Sequence, residues 1–129
     1  MAGIASWLQN AYLDWCLLGA NPTRPTAIYI GLASAAPTAS VSNELPATNG
    51  YARQSIIFPT ASGGAVANTN APSFGPLYNA VVIYGAQLWD NPTVGSGSML
   101  WYGSFLVPRE VPAAGILSFL PGSVTATLS

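Results

Sequence analysis

Proline and glycine divide most of this chain into short segments, which limits the elements that it can form. The sequence holds 11 prolines and 13 glycines among 129 residues. From residue 26 onward, β-prone runs alternate with links such as 35–50, 59–76 and 91–98. Because proline lacks a backbone N–H and glycine loses much freedom on folding, this punctuation favours short strands. The candidate strands are 26–33, 51–58, 80–85, 99–107, 116–120 and 123–128.

This strand pattern predicts a mainly β fold, either an antiparallel β-sandwich or a jelly roll. Val124, Ala126 and Leu128 alternate with polar residues, the two-residue period of a half-buried strand. The links 35–50 and 59–76 are long, because most connections in a compact domain span about 4–6 residues. We therefore expect one domain over residues 1–129, with the β-sandwich at 26–128 and two projecting loops.

One convincing helix precedes the strands, at residues 4–18. Its apolar residues recur at helical spacing: Ile4, Leu8, Ala11, Trp15 and Leu18. Gly19 is a typical helix C-cap, and Pro22 prevents continuation. Two interpretations stay open, since the apolar stripe could pack on the domain's own sheet or the helix could be an arm that docks on a neighbouring subunit.

Charge is scarce in this sequence. Three arginines and four acidic residues make up 5% of the chain, where a typical domain carries about 25%. A free monomer normally depends on a denser charge coat to stay dispersed, so much of this surface suits contact with protein. A monomer coated with neutral polar residues is the alternative. The composition predicts a building block of a larger assembly that forms a homo-oligomer, a dimer or trimer.

The same inventory argues against catalysis. The chain has no histidine, the side chain most often used for proton transfer near neutral pH. Cys16 lies in the apolar helix without a basic neighbour, so we expect it to pack in the core and not to react. The absence of histidine and of clustered cysteines removes the usual zinc patterns. We expect no enzyme activity, no catalytic residues, no cofactor and no metal.

Non-protein partners are also disfavoured. Three arginines without lysine provide no basic patch for nucleic acid. No apolar run approaches the ~20 residues of a membrane-spanning helix. The four tryptophans could stack on sugars, but two lie on the helix stripe and Trp101 lies in a strand, so core or subunit packing is the default. We expect neither nucleic acid nor membrane as a partner.

Five residues are candidates for contacts with a protein partner: Glu44, Arg53, Tyr78, Trp89 and Arg109. Arg53 lies inside a candidate strand and must point outward or find an acceptor, because an unpaired buried charge is costly. Glu44 is the candidate acceptor, and the pair is either an intradomain clamp or a contact across a subunit boundary. Tyr78 and Trp89 are candidate aromatic anchors. Arg109 is expected in an exposed turn with Glu110.

The order of several short motifs resembles a family of small bacteriophage virion structural proteins. These motifs are Gly50-Tyr51-Ala52-Arg53-Gln54, Ala61-Ser62-Gly63-Gly64, Gly115-Ile116-Leu117-Ser118-Phe119 and Val124-Thr125-Ala126-Thr127-Leu128. The resemblance covers nearly the whole chain. Some members are described as tail-fibre proteins, and others resemble capsid cement or decoration proteins.

The resemblance implies a structural role in the virion. Our leading hypothesis is a capsid cement or decoration protein on the capsid exterior, which binds and stabilises the lattice of the major capsid protein. Binding that is selective for the assembled lattice shifts the equilibrium toward it. The alternative is a component of the tail or tail fibre, including one that binds a host glycan through exposed tryptophans.

Overall fold

A computed structural model describes residues 3–128 of the chain. Its elements, in chain order, are β1 Gly3–Ile4, α1 Ser6–Leu13, a π-helix Asp14–Leu18, β2 Tyr29–Ala33, β3 Gln54–Ser55, β4 Ala65–Ala67, β5 Ser73–Phe74, β6 Val81–Trp89, β7 Met99–Val111, β8 Leu117–Ser118 and β9 Thr125–Thr127. All strand pairs are antiparallel. The prediction of a mainly β, antiparallel fold with one N-terminal helix is confirmed.

The largest sheet has five strands in the order β1-β7-β6-β2-β3. Its centre is the β6–β7 hairpin, whose connection spans residues 90–98. Two further sheets contain two strands each, β4 with β9 and β5 with β8. Each small sheet therefore joins a strand of the 59–76 segment to a strand near the C-terminus.

The three sheets share one hydrophobic core. Ile30 and Leu32 of β2 are fully buried, as is Phe74 of β5. They lie in the same cluster as Leu117 of β8 and Ala126 of β9. The small sheets thus cover apolar side chains of the large sheet, which is how a chain with such short strands removes its apolar residues from water.

The 59–76 segment is not the projecting loop that the sequence predicts. It contains β4 and β5, and Phe74 within it is fully buried. The partners of these strands are distant in sequence, as in the Ala65–Thr127 and Phe74–Leu117 pairs. Strands of two or three residues carry too little periodicity to be recognised without their partners.

The hairpin strands are longer than predicted, and this corrects the expected position of Arg109. Arg109 and Glu110 do not lie in a turn but in β7, where Arg109 opposes Ile83 of β6. Residues 105–108 of β7 oppose Tyr84 alone, so they form a bulge. The bulge accommodates Pro108, which could not donate a hydrogen bond to a regular ladder.

The helical segment also differs from the predicted helix 4–18, since Ile4 pairs in β1 and the helix begins at Ser6. The α-helix ends at Leu13 and continues as a π-helix to Leu18, after which Gly19 adopts the expected left-handed C-cap with φ of 74°. Neither helical segment within 3–128 has the length and apolarity needed to cross a bilayer.

Candidate partner-binding sites

The Glu44–Arg53 pair is a buried clamp within the domain. Arg53 Nε donates to Glu44 Oε2 at 2.7 Å, and its second terminal nitrogen donates to Glu44 Oε1 at 2.7 Å. Arg53 is only 5% exposed. This two-pronged geometry is the strongest form of an arginine–carboxylate contact, and it offsets the desolvation of both charges.

Arg53 also holds the loop of the β6–β7 hairpin. Its remaining terminal nitrogen donates to the carbonyl oxygens of Asn91 and Ser96, at 2.7 and 2.8 Å. The guanidinium carbon lies 3.8 Å from the centroid of the Trp89 ring, a cation–π contact. Arg53, directly before β3, therefore ties this part of the chain to Glu44 and to the loop 90–98.

Tyr51 completes this cluster. Its hydroxyl donates to Glu44 Oε2 at 2.8 Å and accepts the backbone N–H of Leu32 at 3.0 Å. Burial, followed by the negative charge of Glu44, raises the pKa of Tyr51 above its usual range. The phenol therefore stays protonated and remains a donor at any ordinary pH.

Gly31 allows these groups to approach the backbone of β2. A Cβ atom at this position would lie 2.7 Å from Glu44 Oε2 and 2.8 Å from the Tyr51 hydroxyl. Gln87 lines the same space and donates to the carbonyl oxygen of Ser42 at 2.6 Å. The cluster is thus a buried polar group in which each described side chain has a hydrogen-bond partner. It fixes the connection 35–50 and the loop 90–98 on the large sheet.

These contacts give Glu44, Arg53 and Trp89 an internal role. Trp89 is 8% exposed, and the polar atoms of the ion pair are satisfied within the chain. The intradomain interpretation of the Glu44–Arg53 pair is therefore the one that the geometry supports. Direct contact of these three residues with a partner stays a prediction that a single chain does not test.

Tyr78 and Arg109, in contrast, lie on the surface. Tyr78 is 73% exposed and follows the buried Leu77. Arg109 is exposed on β7 beyond the bulge. The two residues belong to different elements and do not join the Arg53 cluster, so their predicted partner contacts also stay predictions.

The segment Ser6–Leu18, which we call the arm, exposes many apolar side chains. None of its residues is buried, and Leu17 and Leu18 are 78% and 80% exposed. The arm is attached near its start, where Trp7 Nε1 donates to the carbonyl oxygen of Met99 at 2.6 Å and Leu8 packs against the core. The structure therefore favours an arm over a helix that packs along its own sheet.

The prediction that Cys16 packs in the core is wrong. This thiol is exposed and does not pack in the core. The physical reason is that apolar spacing shows which side chains share a helix face, but not whether the domain covers that face. Sequence reasoning also missed how much of the arm stands in solvent, although the run Trp15-Cys16-Leu17-Leu18 is apolar on every side and so indicates a second covering surface.

An apolar groove lies at the foot of the arm. It consists of two adjoining cavities of about 320 and 330 Å³, which share Ile28, Leu100, Trp101 and Leu128. Leu8 and Tyr12 of the arm border one cavity, and Phe58 and Val66 border the other. The groove therefore extends from the arm to the β4–β9 sheet.

A second apolar surface is formed by the bulge of β7. Leu106 is fully exposed, and Val107 and the nearby Leu120 are 72% and 71% exposed. The sequence predicted these β7 residues as an ordinary strand. Only the mismatch in register, which places 105–108 opposite one residue, turns them outward.

The site residues carry no sign of a metal centre. Within 3–128, no three acidic or cysteine side chains converge in a way that could hold a cation. What the surface offers chemically is apolar area with few charges, which is suited to contact with other proteins.

The chain matches the family described as podophage GP4 fiber I protein gp80, and the match covers residues 3–127. None of the curated proteins matches the chain. Because the family match spans nearly the whole chain, this protein is a phage virion structural protein that belongs to the podophage GP4 fiber I protein gp80 family.

Proposed function

We propose that this chain is a structural subunit of the phage tail fibre, and that it works by burying apolar surface against other proteins and not by catalysis. The observation that carries the assembly role is the exposure of large apolar side chains on the arm and on the β7 bulge. The place in the fibre is supported by the description of the matching family, which names a fibre protein.

The magnitudes indicate how much exposed apolar surface a stable contact must bury. Burying an exposed leucine is worth roughly 1.5–3 kcal/mol. Leu17, Leu18 and Leu106, each at least 78% exposed, could together supply roughly 4.5–9 kcal/mol. Association costs about 4–15 kcal/mol in lost freedom. These three side chains alone are therefore insufficient, and several of the other exposed apolar residues must join them for a stable contact.

Capsid cement is the second candidate, with the major capsid protein as partner and the capsid exterior as location. The same charge-poor, apolar surface suits a seam between shell subunits, and binding there would stabilise the lattice by mass action. A glycan-binding version of the fibre role rests on the aromatic pair Tyr12 and Trp15, whose ring centroids lie 5.7 Å apart on the exposed arm.

The deciding experiment is to count and locate the protein in purified virions. Quantitative mass spectrometry against the major capsid protein gives the copy number, and gold-labelled antibody in electron microscopy gives the position. The fibre proposal expects a few to a few dozen copies with label at the tail. Hundreds of copies in a simple ratio to the major capsid protein, with label over the shell, would replace it by the cement role.

A saccharide titration tests the glycan version. Trp7 and Trp15 are both partly exposed on the arm, at 42% and 50%, so a bound sugar would change their fluorescence. A Trp15→Leu variant that keeps the wild-type response would rule out stacking on this aromatic pair.

A further inference from the structure

We infer that the free end of the arm, Trp15 to Leu18, docks in the apolar groove of a second copy of this chain. The inference goes beyond the proposed function, because contact between copies does not depend on which part of the virion the protein occupies. Four observations carry it: the exposure of the arm, the size of the groove, the charges on the arm and on the groove, and the total surface area of the chain.

The arm cannot be explained as a helix that its own domain covers. A helical turn that is apolar on all sides, as Trp15-Cys16-Leu17-Leu18 is, is normally buried. Here the end of the arm, Trp15 to Leu18, is at least half exposed at its three large apolar residues. A second surface must therefore cover it in the functional state.

The groove provides apolar space of the right size. A cavity of about 150 Å³ lined by aliphatic and aromatic groups accommodates one benzene ring. The two cavities of about 320 and 330 Å³ therefore have room for several large side chains. The groove begins beside Tyr12, at the foot of the arm, so a neighbouring copy that approaches there presents its own arm to it.

The charges indicate that the partner is a copy of this chain. Asp14 lies on the arm, and Arg24 lies on the rim of the groove. Both are exposed, and the one ion pair of residues 3–128 is that of Arg53 and Glu44. If the arm of one copy enters the groove of another, Asp14 meets a surface that carries Arg24. Such opposite charges orient an apolar contact and discriminate against wrong partners.

The surface area agrees with one missing interface. The chain exposes 7223 Å², whereas a monomer of 13.3 kDa is expected to expose about 6,450 Å². The excess of roughly 770 Å² is close to the ~800 Å² that each partner buries in a standard protein interface.

The first experiment is light scattering on the purified full-length chain after size-exclusion chromatography, over a range of concentrations. We expect wild type to self-associate and the double variant L17S/L18S to be monomeric. Both leucines are at least 78% exposed, so the variant should keep its fold, which near-ultraviolet circular dichroism checks. The matched control L106S/V107S removes two apolar residues of the bulge that are 104% and 72% exposed, and it should associate like wild type.

The second experiment tests the contact between Asp14 and Arg24. The single variants D14R and R24D should each raise the dissociation constant between copies roughly 3–10-fold. The double variant D14R/R24D restores opposite charges and should return the constant to near the wild-type value. No restoration by the double variant would show that these residues do not face one another across the interface.

Cys16 is a built-in reporter of the contact. It is exposed on the arm of the single chain, so alkylation by a maleimide should be slower in concentrated wild type than in L17S/L18S. The inference would be overturned if the wild-type chain stays monomeric at high concentration. It would also be overturned if L106S/V107S is monomeric while L17S/L18S associates like wild type. Either result leaves the fibre proposal intact, since that proposal is judged by the location of the protein in the virion.

Discussion

At the scale of single residues, Arg53 anchors both the connection 35–50 and the hairpin loop 90–98. It pairs with Glu44, binds two carbonyl oxygens of the hairpin loop and lies on Trp89. Every polar side-chain atom buried in the described part of the chain has a hydrogen-bond partner. Burial of these charges costs desolvation energy, which their mutual contacts offset. Removal of one member leaves the others buried without a partner, so it lowers the free energy of unfolding by more than the net contribution of the cluster.

We predict that Arg53→Ala lowers the free energy of unfolding by about 3–5 kcal/mol, because it leaves the Glu44 carboxylate buried without its partner. The matched control is Arg109→Ala, which removes an exposed arginine and should cost less than about 0.5 kcal/mol. Urea denaturation followed by tryptophan fluorescence measures both. Equal losses in the two variants would mean that the clamp does not stabilise the fold.

The raised pKa of Tyr51 leads us to predict that the free energy of unfolding falls at alkaline pH. Its pKa is raised in the folded state, whereas in the unfolded chain it has the usual value of about 10. Above pH 10 the unfolded chain therefore loses this proton while the folded chain keeps it. The contribution of Tyr51 is fully present below pH 10 and falls by up to about 1.4 kcal/mol per pH unit above it.

The control for this prediction is Tyr51→Phe, measured by urea denaturation between pH 8 and pH 11. This variant should be less stable at pH 8 by about 1–3 kcal/mol, because the N–H of Leu32 loses its acceptor. Its stability should fall less steeply above pH 10 than that of wild type. Parallel slopes would contradict the buried, protonated state of Tyr51.

At the scale of elements, the β6–β7 hairpin depends on the shape of its loop. Gly95 and Gly97 both have positive φ, at 84° and 78°. A Cβ at Gly95 would meet open space, whereas one at Gly97 would collide with the side chains of Asn91 and Asp90. Asp90 is needed there, since its Oδ1 accepts the N–H of Ser98 at 2.7 Å.

We therefore predict that Gly97→Ala destabilises the protein more than Gly95→Ala. Both variants carry a backbone cost of about 1–2 kcal/mol for positive φ, and Gly97→Ala adds about 1–3 kcal/mol for the collision. The two free energies of unfolding, measured under the same conditions, give the difference directly. Equal values would indicate that the loop rearranges freely and that the hold of Arg53 on it is weak.

At the scale of the whole molecule, the shared core should make the three sheets unfold together. Phe74 of the small β5–β8 sheet is fully buried, with ring centroids 6.0 Å from Tyr51 and 6.1 Å from Phe119. We predict that Phe74→Ala costs about 3–5 kcal/mol, while the exposed Leu120→Ala costs far less. Tryptophan fluorescence and far-ultraviolet circular dichroism should show one coincident transition for each variant.

Coincidence of the two probes is informative because Trp89 and Trp101 lie in the large sheet, whereas β5 belongs to a small sheet. In Phe74→Ala, circular dichroism could show an early partial transition while the midpoint seen by tryptophan fluorescence stays at the wild-type value. In that case the small sheets unfold independently of the large sheet. That result would contradict a single domain over the chain, which is so far a prediction from its length and strand pattern.

The sequence by itself determined the local features of this protein. Helical spacing and Gly19 predicted the helical segment and its C-cap. The alternation at 123–128 predicted the buried Val124 and Ala126, whereas Leu128 of the same set is 43% exposed. An arginine in an apolar strand required an acceptor, and Glu44 is that acceptor. These predictions succeeded because each depends on neighbours in sequence or on the cost of an unpaired charge.

Only the tertiary structure decided which surfaces are covered. The strands β4 and β5 exist through pairing with residues more than 40 positions away. The exposure of Cys16 and the outward turn of Leu106 depend on where the sheet ends and how its register shifts. The physical reason is that periodicity specifies the apolar face of an element, whereas burial depends on what the rest of the chain places against that face.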